Sequence, residues 1–223
     1  MNPLAPACLV TSLCSAIAAG LTFSKRRPGE PLPSKAVFSS RVPLATLLLL
    51  ACVAVPTTLQ FRFPEILSTL QRDYARFASG EWWRVITPLF VQDGGVAGSV
   101  FNLVSLLLIG AVTERLRGSR QTIAIFLIGG VLSEIVAFGW QPVGAGNSVG
   151  NFSLAASISV ACLVPQASKV SRAFALLSLV SAAVLVAVKD IHGAAAVAGA
   201  ILALVLNHLT QDKQRIKELR HTN

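Results

Sequence analysis

Seven apolar stretches separated by polar segments set the pattern of this chain: 4–23, 43–60, 98–113, 121–140, 146–165, 171–188 and 191–209. A helix needs about 20 apolar residues, within a range of about 17 to 25, to cross the hydrocarbon of a bilayer. The stretches therefore predict seven helical spans, several near the short limit. Continuous apolar runs point to helices because a helix bonds its own backbone groups where no water can. Pro142, among Gly139, Gly144 and Gly146, predicts a tight turn before the fifth span, and Pro165 with Gln166 closes that span. Composition agrees: 53% of the 223 residues are hydrophobic and 13% are charged, against about 25% charged in soluble domains. Mean hydropathy is +0.66.

Charge adds orientation. The net charge of +9 suggests nucleic acid until the basic residues are placed. Lys25, Arg26, Arg27, Lys35 and Arg41 follow the first span, and Arg115, Arg117 and Arg120 follow the third. Lys169 and Arg172 follow the fifth, and Lys213, Arg215, Lys217 and Arg220 follow the last. The alternate connections (61–97, 141–145 and 189–190) carry no such excess. Lys/Arg excess marks the cytoplasmic side, so the alternation predicts an N-terminus outside, a C-terminus inside and no nucleic-acid partner. Residues 1–23 have small residues near their end (Ser15-Ala16-Ile17-Ala18-Ala19), as a cleaved signal sequence would. Their positive cluster follows the apolar run, which is the order of a retained reverse anchor. The Pro-containing linker 24–42 is expected to be unstructured. The longer connection 61–97, with Tyr74, Phe77, Trp82 and Trp83, is expected to form a partly buried interfacial element.

The spans starting at 98, 146 and 191 run in the same direction, so Asn102, Ser148 and His192 fall at similar shallow depths, within about two turns of their span starts. A serine hydroxyl becomes a nucleophile when a base within hydrogen-bond reach takes its proton, and neutral histidine does this near pH 7. The Asn102 amide and backbone N–H groups at the helix N-terminus around Ser148 are candidate oxyanion donors. Ala195/Gly199 and Ala196/Ala200 have the small-xxx-small spacing of closely packed helices, and Gly146 and Gly150 leave room beside Ser148. Structural roles compete with each of these. A lone membrane Ser commonly bonds its own i−4 carbonyl, and Asn102 and Asn151 suit interhelical hydrogen bonds. His192, an ionisable group inside a span, defaults to function. His208 is expected at the interface and His221 in solvent. Glu134 is read as protonated or paired, structural or gating, with a proton relay as the alternative. Glu114 and Arg115 are read as an interfacial ion pair. The cysteines (Cys8, Cys14, Cys52, Cys162) lack metal spacing and read as small buried hydrophobes.

Taken in order, four segments resemble the rhomboid family of intramembrane proteases. Gly80-Glu81-Trp82-Trp83-Arg84-Val85-Ile86-Thr87-Pro88-Leu89-Phe90 resembles the family's signature loop after its first core span. Phe101-Asn102-Leu103, with Gly110 and Glu114-Arg115 downstream, resembles its second core span. Gly146-x-Ser148 with Phe152 resembles its nucleophile motif, and His192 with Gly199 its last span. The resemblance implies an all-α polytopic fold: a six-helix core (43–209), one extra N-terminal helix outside it with its linker (1–42), and a basic tail (210–223). It implies a Ser148–His192 dyad with no third catalytic residue, metal or cofactor, and Asn102 as oxyanion donor. It also implies substrate contacts at Gly146 and Phe152, with Trp82, Arg84, Glu114 and Arg115 as structural motif residues. The loop 61–97 would lie partly in the outer leaflet, with Arg84 as its anchor. The implied substrates are single-span membrane proteins, and the expected setting is a bacterial inner (plasma) membrane. Two positions depart from the pattern. Val149 stands where the family usually has Gly, and Gly98 where it often has His. An impaired family member that binds transmembrane helices without cutting them is the alternative, and a transporter using Glu134 and His192 is a third reading.

Overall fold

The computed structural model describes residues 4–23, 42–165 and 167–221. The expectation of an unstructured linker at 24–42 falls, apart from Val42, outside the described residues, as does Gln166.

All seven expected spans are helices: α1 (Leu4–Thr22), α2 (Leu44–Gln60), α5 (Gly95–Arg117), α6 (Ser119–Trp140), α7 (Ser148–Ala161), α8 (Lys169–Ala187) and α9 (Ile191–His221). Between α2 and α5 lie two short helices, α3 (Glu65–Leu70) and α4 (Tyr74–Ala78), and two 3₁₀ turns at Trp82–Val85 and Thr87–Phe90. The two-residue strand β1 (Arg72–Asp73) pairs antiparallel with β2 (Val143–Gly144). That pairing joins the 61–94 connection to the one before α7, so both lie at the same end of the bundle. The protein is an all-α polytopic membrane protein. α5, α6, α8 and the Ile191–Leu209 part of α9 are long and apolar enough to cross a bilayer. Exposed Val96, Val100, Val104, Leu107 and Leu108 line one side of α5, which suits a lipid-facing surface.

α7 is the shortest of the seven, with 14 residues where the sequence pattern suggested 20. Every residue from Val149 to Ser159 is buried because α5, α6, α8, α9 and α1 pack around it. Facing protein on all sides, it has no lipid thickness to match. Where it meets α9 the backbones nearly touch. A Cβ on Gly199 would lie 2.1 Å from the Ser153 carbonyl oxygen, and Ser153 Oγ donates to the Ala195 carbonyl at 2.9 Å. The small-residue spacing read from the sequence is the seam of these two helices.

The extra helix α1, outside the 43–209 core, packs tightly against it. Leu13, Ala16 and Ala19 are buried in the main hydrophobic cluster, and α1 lies along α8. Ser12 Oγ donates to the Ser178 carbonyl at 3.1 Å, and Ser171 Oγ donates to the Ala19 carbonyl at 2.8 Å. Gly20, with no side chain, lets Val112 of α5 approach.

Glu114 also differs from the ion-pair reading. Its carboxylate accepts the N–H groups of Ala45 (3.0 Å) and Thr46 (2.8 Å), the Thr46 hydroxyl (2.8 Å) and the Ser119 hydroxyl (2.7 Å). The first N–H groups of a helix lack partners and carry its positive dipole end, so this α5 carboxylate caps α2. Pro43 precedes α2 with no side-chain cap of its own. Gly110, one turn earlier on α5, admits Thr46.

Candidate active site

The signature loop is held together by one guanidinium. Arg84 is fully buried. Its Nε donates to Glu81 Oε2 at 2.7 Å and its Nη1 to the carbonyls of Gln71 (2.6 Å) and Ser68 (3.1 Å). A planar fork of donors suits this task, because it closes the 3₁₀ turn onto α3 in several directions at once. Thr87 Oγ1 adds a bond to the Leu70 carbonyl at 2.7 Å. Phe77 stacks on Phe138 of α6 at 4.6 Å, while Trp82 is two-thirds exposed. The loop is thus a built element docked on α6, as its aromatic content suggested.

Ser148 is the first residue of α7 and His192 the second of α9. Ser148 Oγ and His192 Nε2 are 2.8 Å apart. At the first position of a helix no helical carbonyl lies four residues back, so the common structural bond of a membrane serine is not open to Ser148. Ser99, Thr113, Ser133 and Ser159 each make that i−4 bond. The Phe152 ring, one turn below Ser148, is buried and lies 4.9 Å from the imidazole at 56°, so it packs the His192 ring as well as lining the cavity.

Asn102 lies beside this pair. Its Nδ2 donates to Gln92 Oε1 at 2.8 Å, and its carbonyl accepts from Asn147 Nδ2 (3.3 Å) and Asn151 Nδ2 (3.0 Å). It therefore serves as interhelical glue, and its amide carries a second N–H besides the one given to Gln92. A Cβ on Gly146 would lie 3.2 Å from Ser148 Oγ, 3.5 Å from Gln92 Oε1 and 3.6 Å from Asn102 Nδ2. A glycine there keeps the space between these groups open.

Several contributors were not singled out from the sequence. Buried Gln92 donates through Nε2 to Asn147 Oδ1 at 2.6 Å, and its backbone is bracketed by Gln60. Its only sequence signal was a polar residue ending an apolar run. Arg72, on β1, donates to the Gln141 carbonyl at 2.7 Å and pairs with Glu134, both side chains being buried. This resolves Glu134 as a paired group. Arg117 crosses from α5 to Asn207 Oδ1 (3.0 Å) on α9 and the Ser157 carbonyl (2.7 Å) on α7. Asp190 accepts from the backbone N–H of His192 at 2.9 Å and meets its Nδ1 at 2.5 Å. Burial works to raise the Asp190 carboxyl, but the hydrogen bonds and charge of His192 outweigh it and hold the pKa below the usual Asp value.

A cavity of about 790 Å³ reaches from Ser148, Asp190 and His192 past Asn102 to Arg72, Asp93 and Glu134. A hydroxyl hydrogen-bonded to an imidazole beside amide donors can pass its proton to the ring and attack a carbonyl. Among the described residues no group of three or more His, Cys, Asp and Glu could hold a metal ion.

Fold and site together describe a helical membrane protein with a serine–histidine pair where its central helix and last helix begin. A family model described as "Rhomboid domain" matches residues 79–210, and the chain belongs to the rhomboid family. It is 32% identical over 79 residues to "Rhomboid protease GluP" of Bacillus subtilis (strain 168), covering 35% of this chain and 15% of that protein. It is 30% identical over 66 residues to "Putative rhomboid protease YdcA" of the same organism, covering 30% of this chain and 33% of that protein. The matched stretches thus span a third or less of either relative.

Proposed function

We propose that this protein is an intramembrane serine endopeptidase that cuts single-span membrane proteins in its family's manner. Ser148 is the nucleophile and His192 the general base. Asn102, through its second amide N–H, and the backbone N–H groups at the start of α7 receive the oxyanion. Gly146 leaves the substrate backbone its path past Ser148. The observation that carries this reading is the 2.8 Å contact between Ser148 Oγ and His192 Nε2, opening onto the cavity. The alternating basic connections support an N-terminus outside and a C-terminus in the cytoplasm, with the dyad near the outer surface. The bacterial relatives support a bacterial plasma membrane.

A second reading is favoured by two positions. Gly98 has no side chain to offer the oxyanion site, although a Cβ there would meet nothing within 4 Å. Val149 is buried directly after the nucleophile. Loss of one oxyanion donor costs about 10²–10³ in rate, and a chain slowed in this way would act mainly as a binder of membrane helices.

The test is labelling of purified, detergent-solubilised protein with a fluorophosphonate probe. Endopeptidase function expects labelling of the wild type that is lost in Ser148→Ala and His192→Ala. A well-folded wild type that takes up no probe refutes an activated serine and leaves the binder.

A further inference from the structure

We infer that Asp190 is the positioning residue of His192: its carboxylate takes the Nδ1 proton and holds the ring with Nε2 free for the Ser148 hydroxyl. The inference rests on the dyad proposed above and adds a third group to it.

The geometry has three parts. Asp190 Oδ1 lies 2.5 Å from His192 Nδ1, and Nε2 lies 2.8 Å from Ser148 Oγ on the other side of the ring. A neutral imidazole carries one N–H, so Nε2 can accept the serine proton only when the hydrogen is on Nδ1. An ionised carboxylate only accepts, and placed at Nδ1 it selects that tautomer. When the proton leaves Ser148 Oγ for Nε2 and Oγ bonds to the substrate carbonyl carbon, the ring becomes an imidazolium with two N–H groups. Asp190 then faces a positive ring through a charge-assisted bond and takes no proton itself.

The backbone delivers Asp190 to this place. The N–H of Asp190 bonds the Leu185 carbonyl at 2.9 Å and that of Lys189 bonds the Val186 carbonyl at 3.0 Å. This pair of bonds is the Schellman ending of α8. Lys189 takes the left-handed conformation the motif requires, with φ of 55°, although glycine is the usual occupant. Among the described non-glycine residues it is the only one with positive φ, and such conformations gather where a turn serves a site. The motif ends α8 and places Asp190 one residue before α9. Gly193 completes the turn, since a Cβ there would lie 2.3 Å from the Val186 nitrogen. The other charged groups on the cavity are Arg72, Asp93 and Glu134. Arg72 is paired with Glu134, and Asp93 accepts the Ala145 N–H at 2.9 Å, which leaves Asp190 as the carboxylate at the ring.

A purely structural role would be helix capping, since Asp190 also accepts the His192 N–H. Asp190→Ser separates the two roles, because serine caps a helix about as well as aspartate but brings no carboxylate to Nδ1. The full chain in detergent is examined by rate of fluorophosphonate labelling, and by ¹⁵N NMR of the histidines, with the His192 signal assigned by its loss in His192→Ala. The expected result is an Nδ1–H tautomer in the wild type that is lost in Asp190→Ser, with labelling slowed about 10²-fold or more. Wild-type labelling and an unchanged tautomer in Asp190→Ser overturn the inference. If the wild type does not label at all, the dyad reading falls, and the tautomer alone decides on Asp190. If Asp190→Ser melts early, Asp190→Glu decides: return of the Nδ1–H tautomer upholds the carboxylate's role, and its absence overturns it.

Discussion

Replacing Gly199 by alanine puts the α7–α9 seam to a quantitative test. The added Cβ would sit 2.1 Å from the Ser153 carbonyl oxygen and 2.5 Å from its Cα. Both are backbone atoms and cannot rotate aside. Ordinary contact begins near 3.4 Å, so the helices must part by about 1 Å. Overpacking of this kind costs about 1–3 kcal/mol, and stretching the Ser153–Ala195 bond adds about 1 kcal/mol. The same displacement reaches the dyad, because His192 lies two turns up α9 and Ser148 stands on α7. A misplacement of about 1 Å costs about 10² in rate. Gly199→Ala is therefore expected to melt earlier in detergent and to take up fluorophosphonate about 10²-fold more slowly than wild type. Gly139→Ala on α6 serves as the control, since its Cβ meets nothing within 4 Å. If Gly199→Ala labels and melts like wild type, the two helices do not meet here and close packing does not set the dyad distance.

Arg84→Leu leaves Glu81 and two loop carbonyls without their donor; a loss of about 3–5 kcal/mol is expected, read as earlier melting and faster proteolysis within 61–94. Arg84→Lys should recover little, because one ammonium cannot span the three partners, and full recovery would refute the fork argument. Glu114→Ala uncovers the first N–H groups of α2 and should cost about 1–2 kcal/mol in a thermal melt, with Glu114→Gln in between. The Asp190 carboxyl is held below its usual pKa, so its contribution to stability is complete above the unfolded value of about 3.9 and is lost as pH falls through the lower folded value. The melting difference between wild type and Asp190→Asn should therefore be present above about pH 4 and shrink below it; a difference that stays undiminished well below pH 4 would contradict this.

Helix positions were legible in the sequence because lipid imposes one rule on every span it touches. An apolar run has to satisfy its own backbone, so α5, α6, α8 and α9 appear as runs of the right length. α7 was legible as a helix but misjudged in length, since the same composition serves whether the neighbours are lipid or protein. The Ser148–His192 pair was legible through shared direction: spans that run the same way start at the same depth. Asp190 was not, because a Lys-Asp connection reads as neutral punctuation until the Schellman turn shows which way it points. Gln92 was hidden for a similar reason, its partners lying on α2, α5 and the start of α7.

Hydrophobic patterning determined where the seven long helices lie, because it answers to the bilayer, a solvent the chain meets residue by residue. Pairings across the bundle belong to the tertiary structure alone. Glu114 capping α2, Arg72 meeting Glu134, α1 packing against the core and Asp190 standing behind His192 each depend on two segments far apart in sequence, or on a turn whose direction is set by packing. Such contacts are selected by which backbones can approach closely, and that is decided only when α7 is enclosed by its neighbours.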